Sequence, residues 1–487
     1  MTQTTTAKIA GGSLWMIASF VLVRFLQLIA QVVLARLLSP KDFGVWAMVL
    51  IVTTLSALFR DAAIAGVLVY RGLDDKKLVN AVYSLGINIS VGMFVLQALA
   101  GFPLSQFFGV PVLWPLTACV AFVFLIGAGA GSHGAVLQRQ MKFRELAICD
   151  TVASFARYGG ALICAALGGG VWSFAVAEIA MALVDSLLKR WLSRYHFTYH
   201  FMPDPSAIGE VRGYISGLIG INLAVYANLN GDNFVIGRLL GTQALGYYNL
   251  AYQLAMLPAT AISQINRVNF SALSQQDRES QRRYLCQALE LYALLSAPIY
   301  GVAFVAAPWV IPLVYGSKWV AAVSIFQIVL FFAYARGFMS ILGTALNALN
   351  RPGINAIINW VLVPLSIPSY LLGARLGGIT GVAIAVALVM GVVATAWFWL
   401  VTCRAAGWKI GTLTKPIILP TVTISVTLAT VIAVPLPMYL QIYLQPLAIV
   451  FIYGTALCVF SAGRVPKMLL GVVKHFLNID MKSVESK

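Results

Sequence analysis

Ala35-Arg36-Leu37-Leu38-Ser39-Pro40-Lys41-Asp42-Phe43-Gly44 and Gly237-Arg238-Leu239-Leu240-Gly241-Thr242-Gln243-Ala244-Leu245-Gly246 are two copies of one phrase, 202 residues apart. With no gap, Val33, Arg36, Leu37, Leu38 and Gly44 fall on Val235, Arg238, Leu239, Leu240 and Gly246. Each copy closes one long apolar segment, crosses a tight turn and opens the next. Ser39 suits a helix N-cap and Pro40 the first helical position. An internal repeat in a chain of many apolar segments points to a membrane transport architecture, with the path lying between the copies.

The apolar segments around the phrase set the fold class. Hydrophobic residues make up 60% of the 487-residue chain and charged residues 10%, against about 25% charged in an ordinary soluble domain. Mean hydropathy is +0.87. A helix needs about 20 apolar residues to cross a bilayer. Fourteen such stretches are visible, at roughly 11–37, 43–68, 78–104, 112–137, 146–168, 171–192, 212–239, 246–271, 285–314, 319–348, 354–373, 378–402, 415–435 and 443–463. The polar regions between them are too short for a soluble catalytic domain. The first stretch is too long for a signal-peptide core, carries Arg24, and no small-x-small site follows it, so it reads as a retained helix.

The formal net charge of +17 is distributed by topology. Taking the loops alternately, 23 Lys/Arg fall on the side of the N-terminus. Five (Arg36, Lys41, Arg238, Lys318 and Arg375) fall on the other. Positive charge collects on the cytoplasmic side, so both termini are expected there, in a multi-pass membrane protein that contacts lipid headgroups and no nucleic acid. The six cysteines are scattered without a C-x-x-C pair, the four histidines are equally dispersed, and no metal site is expected.

The expected architecture is all-α: two like-oriented six-helix lobes around a central cavity, plus two C-terminal helices. The boundaries are 1–192 for the first lobe, 193–211 for a cytoplasmic linker containing Pro203-Asp204-Pro205, 212–404 for the second lobe, 405–463 for the final pair and 464–487 for a cytoplasmic tail. An even number of spans per repeat gives both copies the same orientation. The final pair has no charge within its spans and is expected beside the lobes.

From Asn230 to Ser274 the sequence Asn-Gly-Asp-Asn-Phe-Val-Ile-Gly-Arg-Leu-Leu-Gly, continuing through Ala-Leu-Gly-Tyr-Tyr-Asn-Leu-Ala-Tyr, resembles the polysaccharide transporter family. So do Val33–Gly44 and the loop Leu-Gln-Arg-Gln-Met-Lys-Phe-Arg at 137–144. These Wzx-type flippases stand in a superfamily with lipid II flippases and multidrug antiporters. The resemblance implies movement of polyprenyl-diphosphate-linked oligosaccharide repeat units to the outer leaflet, for capsule, exopolysaccharide or O-antigen assembly, with a polymerase and chain-length machinery downstream. A cationic drug exporter and a membrane polysaccharide polymerase are the competing readings. The latter should show a large outer loop, and the outer loops here are a few residues long.

An ionisable group at mid-helix costs at least about 2.5–3.5 kcal/mol to insert, so it normally meets a partner or water. Arg24, Gln27 and Gln31 lie on one face of the first helix, at spacings of three and seven. Asn222, Tyr226, Asn230 and Asn233 form the corresponding stripe 202 residues on. Such stripes line a cavity or glue helices together. Arg60, Arg157, Arg267 and Arg336 are the other mid-membrane cations. Guanidinium matches a diphosphate bidentately and stays charged when buried. Substrate contact is therefore expected of Arg24, Gln27, Gln31, Arg60, Arg157, Asn230, Arg267 and Arg336. Neutralisation by acids is the alternative use of these cations. Asp61, Glu178 and Asp232 are candidates for coupling to H⁺ or Na⁺, or for structural ion pairs. No cofactor and no catalytic residue is expected.

Overall fold

The structure is a computed structural model and describes residues 2–71, 73–202, 205–274, 277–434 and 437–461. Within that range the side chains of 2–14, 17, 61–67, 69–71, 205–208, 210–218, 221, 260–272, 274 and 438–439 are left aside. No strand occurs among the described residues. Nine helices are long and apolar enough to cross a membrane, and a tenth span forms if one bent pair is taken together. The chain is a multi-pass helical membrane protein.

The first two helices, α1 (Thr2–Leu37) and α2 (Pro40–Arg71), meet at the first copy of the phrase. Ser39 Oγ accepts from Asp42 N at 3.3 Å, and the Asp42 carboxylate takes the Ser39 amide at 2.9 Å and its hydroxyl at 2.6 Å. This reciprocal capping box satisfies amides that helix geometry would leave open. Asp42 completes what Ser39 and Pro40 begin. Helix α3 (Lys76–Phe108) starts on Asp75, whose carboxylate accepts from Lys77 N and Leu78 N, and stops at Gly109 with φ 68°.

The stretch at 112–137 is broken. Helices α4 (Leu113–Ile126) and α5 (Ala130–Arg139) bend by 44° across Gly127–Gly129, where Gly129 takes φ 80°. A β-carbon on Gly129 would also come within 2.8 Å of the Tyr83 ring. Apolarity marks a span, but only the backbone shows the kink. Helices α6 (Phe143–Ala166) and α7 (Trp172–Ser193) pack along each other, and α6 along α1. Ser19 of α1 bonds to Ala147 O at 3.1 Å and to Thr151 Oγ1 at 2.8 Å.

The described part of the expected linker is anchored. Residues 195–200, outside any helix, lie along α3. Asn80, Ser84 and Asn88, one helical turn apart on α3, hold Thr198 N, His200 N and Phe201 O at 3.1, 3.0 and 2.9 Å. Phe197 stacks on Tyr83 at 4.5 Å. A polar row on a helix that pairs with an irregular backbone lets the segment lie against it with those groups satisfied.

Helix α8 (Pro205–Ser274) is continuous except at Gly241, with φ 84°. That residue sits at the offset of Ser39, between the expected stretches 212–239 and 246–271. One left-handed glycine does here what the Leu38-Ser39-Pro40 turn does in the first copy. Helix α9 (Arg278–Tyr315) follows; Asp277 precedes it, and a hydrogen bond from Ser280 holds its carboxyl below the usual carboxylate range. Next come α10 (Ala322–Ala348) and α11 (Pro352–Val386), the latter broken at Gly377–Gly378. A π-helical stretch, Ala387–Ala394, leads into α12 (Thr395–Ala406). Helices α13 (Ile410–Ala433) and α14 (Met438–Phe460) end the described chain.

Two compact units result. One comprises Met1–Leu250, Val314–Ala321 and Asn359–Val382; the other comprises Ala251–Leu313, Ala322–Ile358 and Ala383–Lys487. The first unit thus takes in the six N-terminal spans and the first arm of α8. In the second, α13 and α14 pack on α9 through Leu294, Ala297, Ile424, Ile449 and Tyr453, with Tyr453 OH donating to Leu294 O at 3.2 Å. Lipid is as apolar as leucine, so shape fit and such hydrogen bonds hold the pair, not escape from water.

Candidate functional site

The polar stripe of α1 is real and partly exposed. Arg24 Nη1 donates to Gln27 Oε1 at 2.8 Å, and its guanidinium lies 5.2 Å from the Phe20 ring centroid. No acid pairs with Arg24 among the described residues. On α6, Tyr158 lies within electrostatic reach of Arg24, Arg157 and Glu178, which places these groups in one neighbourhood of the first unit. Gln31 continues the stripe toward the end of α1, partly exposed.

Arg157 and Glu178 form an ion pair between α6 and α7. Arg157 is therefore committed to an acid, and Glu178 to a base. Beside this pair lies a cavity of about 360 Å³, within the size range of ligand sites (~300–1,000 Å³). Its walls include Arg60 of α2, Gly127 at the α4–α5 bend, and Glu178, Asp185 and Lys189 of α7. Arg60 lies 5.3 Å from the Phe124 centroid, and its Nη1 would be 3.6 Å from a β-carbon on Gly127. That is an ordinary contact; the tighter approach of such a β-carbon is to Val123 O, at 2.9 Å. Lys189 bonds Asp185 at 2.8 Å, and Arg190 caps the freed Ala128 carbonyl at 2.6 Å.

The corresponding stripe of α8 is spent differently. Tyr226, at the offset of Arg24, donates its hydroxyl to Ile51 O of α2. Asn230 bonds back to Tyr226 O at 3.0 Å within its own helix. The amide therefore serves the backbone, and only partial exposure is left for a ligand. Asp232 is 2% exposed. Its carboxylate takes the Tyr248 hydroxyl at 2.5 Å and the Asn233 amide at 2.8 Å, and no lysine or arginine pairs with it among the described residues. One turn earlier Asn228 donates to Asn359 O at 2.7 Å, while its own Oδ1 is buried without a hydrogen-bond donor. A buried carboxylate with acceptor oxygens nearby and no cation is a place where a proton or a small cation would be stabilised.

Arg336 lies in the second unit on α10, partly exposed, with Tyr252 in electrostatic reach and no acid paired to it among the described residues. Arg267 and Asp61 fall outside the described side chains. The structure therefore draws Arg24, Gln27, Arg60, Arg157 and Glu178 into the first unit's polar region. Asp232 and Asn230 lie on α8 with partners of their own, Tyr248, Asn233 and Tyr226.

From the sequence, Asp185 is one of the acids that could neutralise the buried arginines and Lys189 counts among the loop cations; in the structure both stand on α7 and pair with each other. Glu178, Asp185 and Lys189 are spaced seven and four, one face of α7, and that spacing could have been read. Asn228, Tyr248 and Asn359 carried no such signal, because they meet only in the folded chain.

This arrangement, a bent and broken set of membrane helices with cations and acids at mid-depth, is that of a polytopic membrane transporter. Solved structures agree on the fold. The lipid II flippase MurJ in its inward closed conformation superposes with a TM-score of 0.73, covering 92% of this chain and 99% of that one at 14% identity. An inward-facing multidrug resistance transporter of the MATE family, in the MOP superfamily, gives 0.60, covering 82% and 99% at 16% identity. The chain itself belongs to the polysaccharide biosynthesis protein family, whose model matches residues 33–324. It is 25% identical over 393 residues to the lipopolysaccharide biosynthesis protein WzxC of Escherichia coli, 78% of each chain. It is 25% identical over 369 residues to the succinoglycan biosynthesis transport protein ExoT of Rhizobium meliloti, covering 74% of this chain and 73% of that one.

Proposed function

We propose that this protein is a flippase for polyprenyl-diphosphate-linked oligosaccharide repeat units, working by alternating access in the bacterial inner membrane with both termini cytoplasmic. The observation that carries it is the state of Arg24: a guanidinium at mid-helix whose partner is an amide, in the same unit as a cavity walled by Arg60 and Glu178. A structural arginine in lipid would be locked to a carboxylate, as Arg157 is. One held by a glutamine keeps donors for an anion. The diphosphate would meet Arg24 and Arg60, while the polyprenyl tail stays in lipid. The names of the relatives support this substrate class, since lipopolysaccharide and succinoglycan are surface polysaccharides. A polysaccharide polymerase and chain-length machinery are the partners that would receive the product.

Asp232 is the better candidate for H⁺ or Na⁺ coupling, because Glu178 is already neutralised. A drug cation is disfavoured as substrate by the same arginines, which would repel it.

The test is Arg24→Ala in cells. Surface polysaccharide is lost at normal protein levels, and lipid-linked repeat units accumulate on the cytoplasmic face. Normal polymer output would remove Arg24 from the site.

A further inference from the structure

The two copies of the repeated phrase are each other's binding partner. A β-carbon built on Gly44 of α2 would lie 1.7 Å from the carbonyl oxygen of Thr242 and 3.1 Å from the nitrogen of Gly246. One built on Gly246 would lie 1.8 Å from the carbonyl oxygen of Pro40 and 3.2 Å from the nitrogen of Gly44. Pro40 and Thr242 are themselves 202 residues apart. Each glycine thus faces the other copy's carbonyl four residues before the other glycine, and the contact maps onto itself when the copies are exchanged. That is the self-complementarity of a two-fold interface, here within one chain. Backbone meets backbone, the close approach that glycine permits between membrane helices.

The contact continues down the same helix faces. A β-carbon on Gly237 would be 3.1 Å from Met48 Cε, and below that Tyr226 bonds Ile51 O. At the upper end Lys318 Nζ donates to Arg36 O at 2.9 Å and Leu38 O at 2.6 Å, and Trp319 Nε1 donates to Ala35 O at 2.9 Å. These are the last carbonyls of α1, which have no partner inside the helix and favour a cation. The Trp319 ring meets Phe43 of the first copy edge-on at 5.1 Å and Tyr247 of the second at 5.9 Å.

We propose that the phrase is repeated because its two copies form a separable barrier, closed by the Gly44–Gly246 contact and registered by Lys318 and Trp319, that seals one end of the transport path. The proposal rests on the reading of the chain as an alternating-access transporter. At the crossing itself the atoms that meet are backbone, while Met48 and Trp319 pack to either side of it. The closed state tolerates no substituent at either position, because the obstructing atom is a backbone oxygen that cannot move aside.

Ala47 is 2% exposed and shares the α2 face of Gly44, Met48 and Ile51. Ala47→Cys in the purified full-length chain reports on closure by its rate of maleimide labelling, measured at residue 47 by peptide mass spectrometry. Alone it labels slowly. Adding Gly44→Ala or Gly246→Ala raises the rate at least ~10-fold by shifting the population to the parted state, and export fails. Lys318→Met, at an exposed side chain, gives a smaller rise of about 2- to 5-fold and needs no change in the crossing itself. Unchanged labelling in all three variants with export intact overturns the barrier. Labelling involves no substrate, so faster labelling in a protein that moves no lipid-linked sugar sustains the barrier and removes the substrate reading.

Discussion

The two copies of the repeat agree at their turns and disagree at mid-depth. At the turns, Gly44 and Gly246 meet the same atoms of the opposite copy, at nearly the same distances. Mid-helix, Arg24 has Tyr226 as its counterpart, and Ala30, fully buried, has Asp232. The first copy carries a cation on a partly exposed face, and the second a carboxylate sealed among hydrogen bonds. The glycines are held identical where the two copies cross, and the mid-helix chemistry differs between them.

The comparison can be broken from either side. The largest effect is expected from giving the first copy the second copy's acid. Ala30→Asp buries a carboxylate with no Tyr248 equivalent to donate to it. The cost is about 3 kcal/mol or more, so the protein should fail to accumulate in membranes, as immunoblotting would show. Removing the cation comes next. Arg24→Ala should lower flipping in reconstituted vesicles by roughly 100-fold, the worth of a charge-assisted hydrogen bond to phosphate, and Arg24→Lys should restore part of it.

The Arg157–Glu178 pair offers a sharper test, because it distinguishes a locked arginine from a working one. Glu178→Gln leaves a cation uncompensated and should cost about 1–3 kcal/mol in thermal unfolding. The double change with Arg157→Gln should recover most of it, a coupling that a double-mutant cycle measures directly. If Glu178→Gln instead leaves stability alone and abolishes flipping, the pair belongs to the substrate path. The smallest effect is expected at Tyr226→Phe, which deletes the bond to Ile51 O without changing shape. About 0.5–1.5 kcal/mol should be lost, read as a lowered melting temperature with transport retained.

Much of this protein was legible before any coordinates. Apolar length showed the all-helical class and the membrane, because a bilayer leaves backbone groups no other partner; it did not show where a stretch bends, as at 112–137, and the described residues give nine or ten spans where fourteen were expected. The repeat located both turns: Pro40 has its φ held near the helical value and suits a helix start, whereas Gly241 reaches the positive φ that a side chain would oppose. Spacing put Arg24 and Gln27 on one face, where they bond. What the fold alone decided is partnership across distance: that Arg157 is taken by Glu178, that Asp232 meets Tyr248, and that the linker lies along α3 on Asn80, Ser84 and Asn88. A side chain's helical face follows from its own neighbours in sequence, whereas what stands opposite depends on which helices pack together. For the same reason the repeated glycines announced themselves in the sequence as a pattern, and became an interface only when the chain brought residue 44 against residue 246.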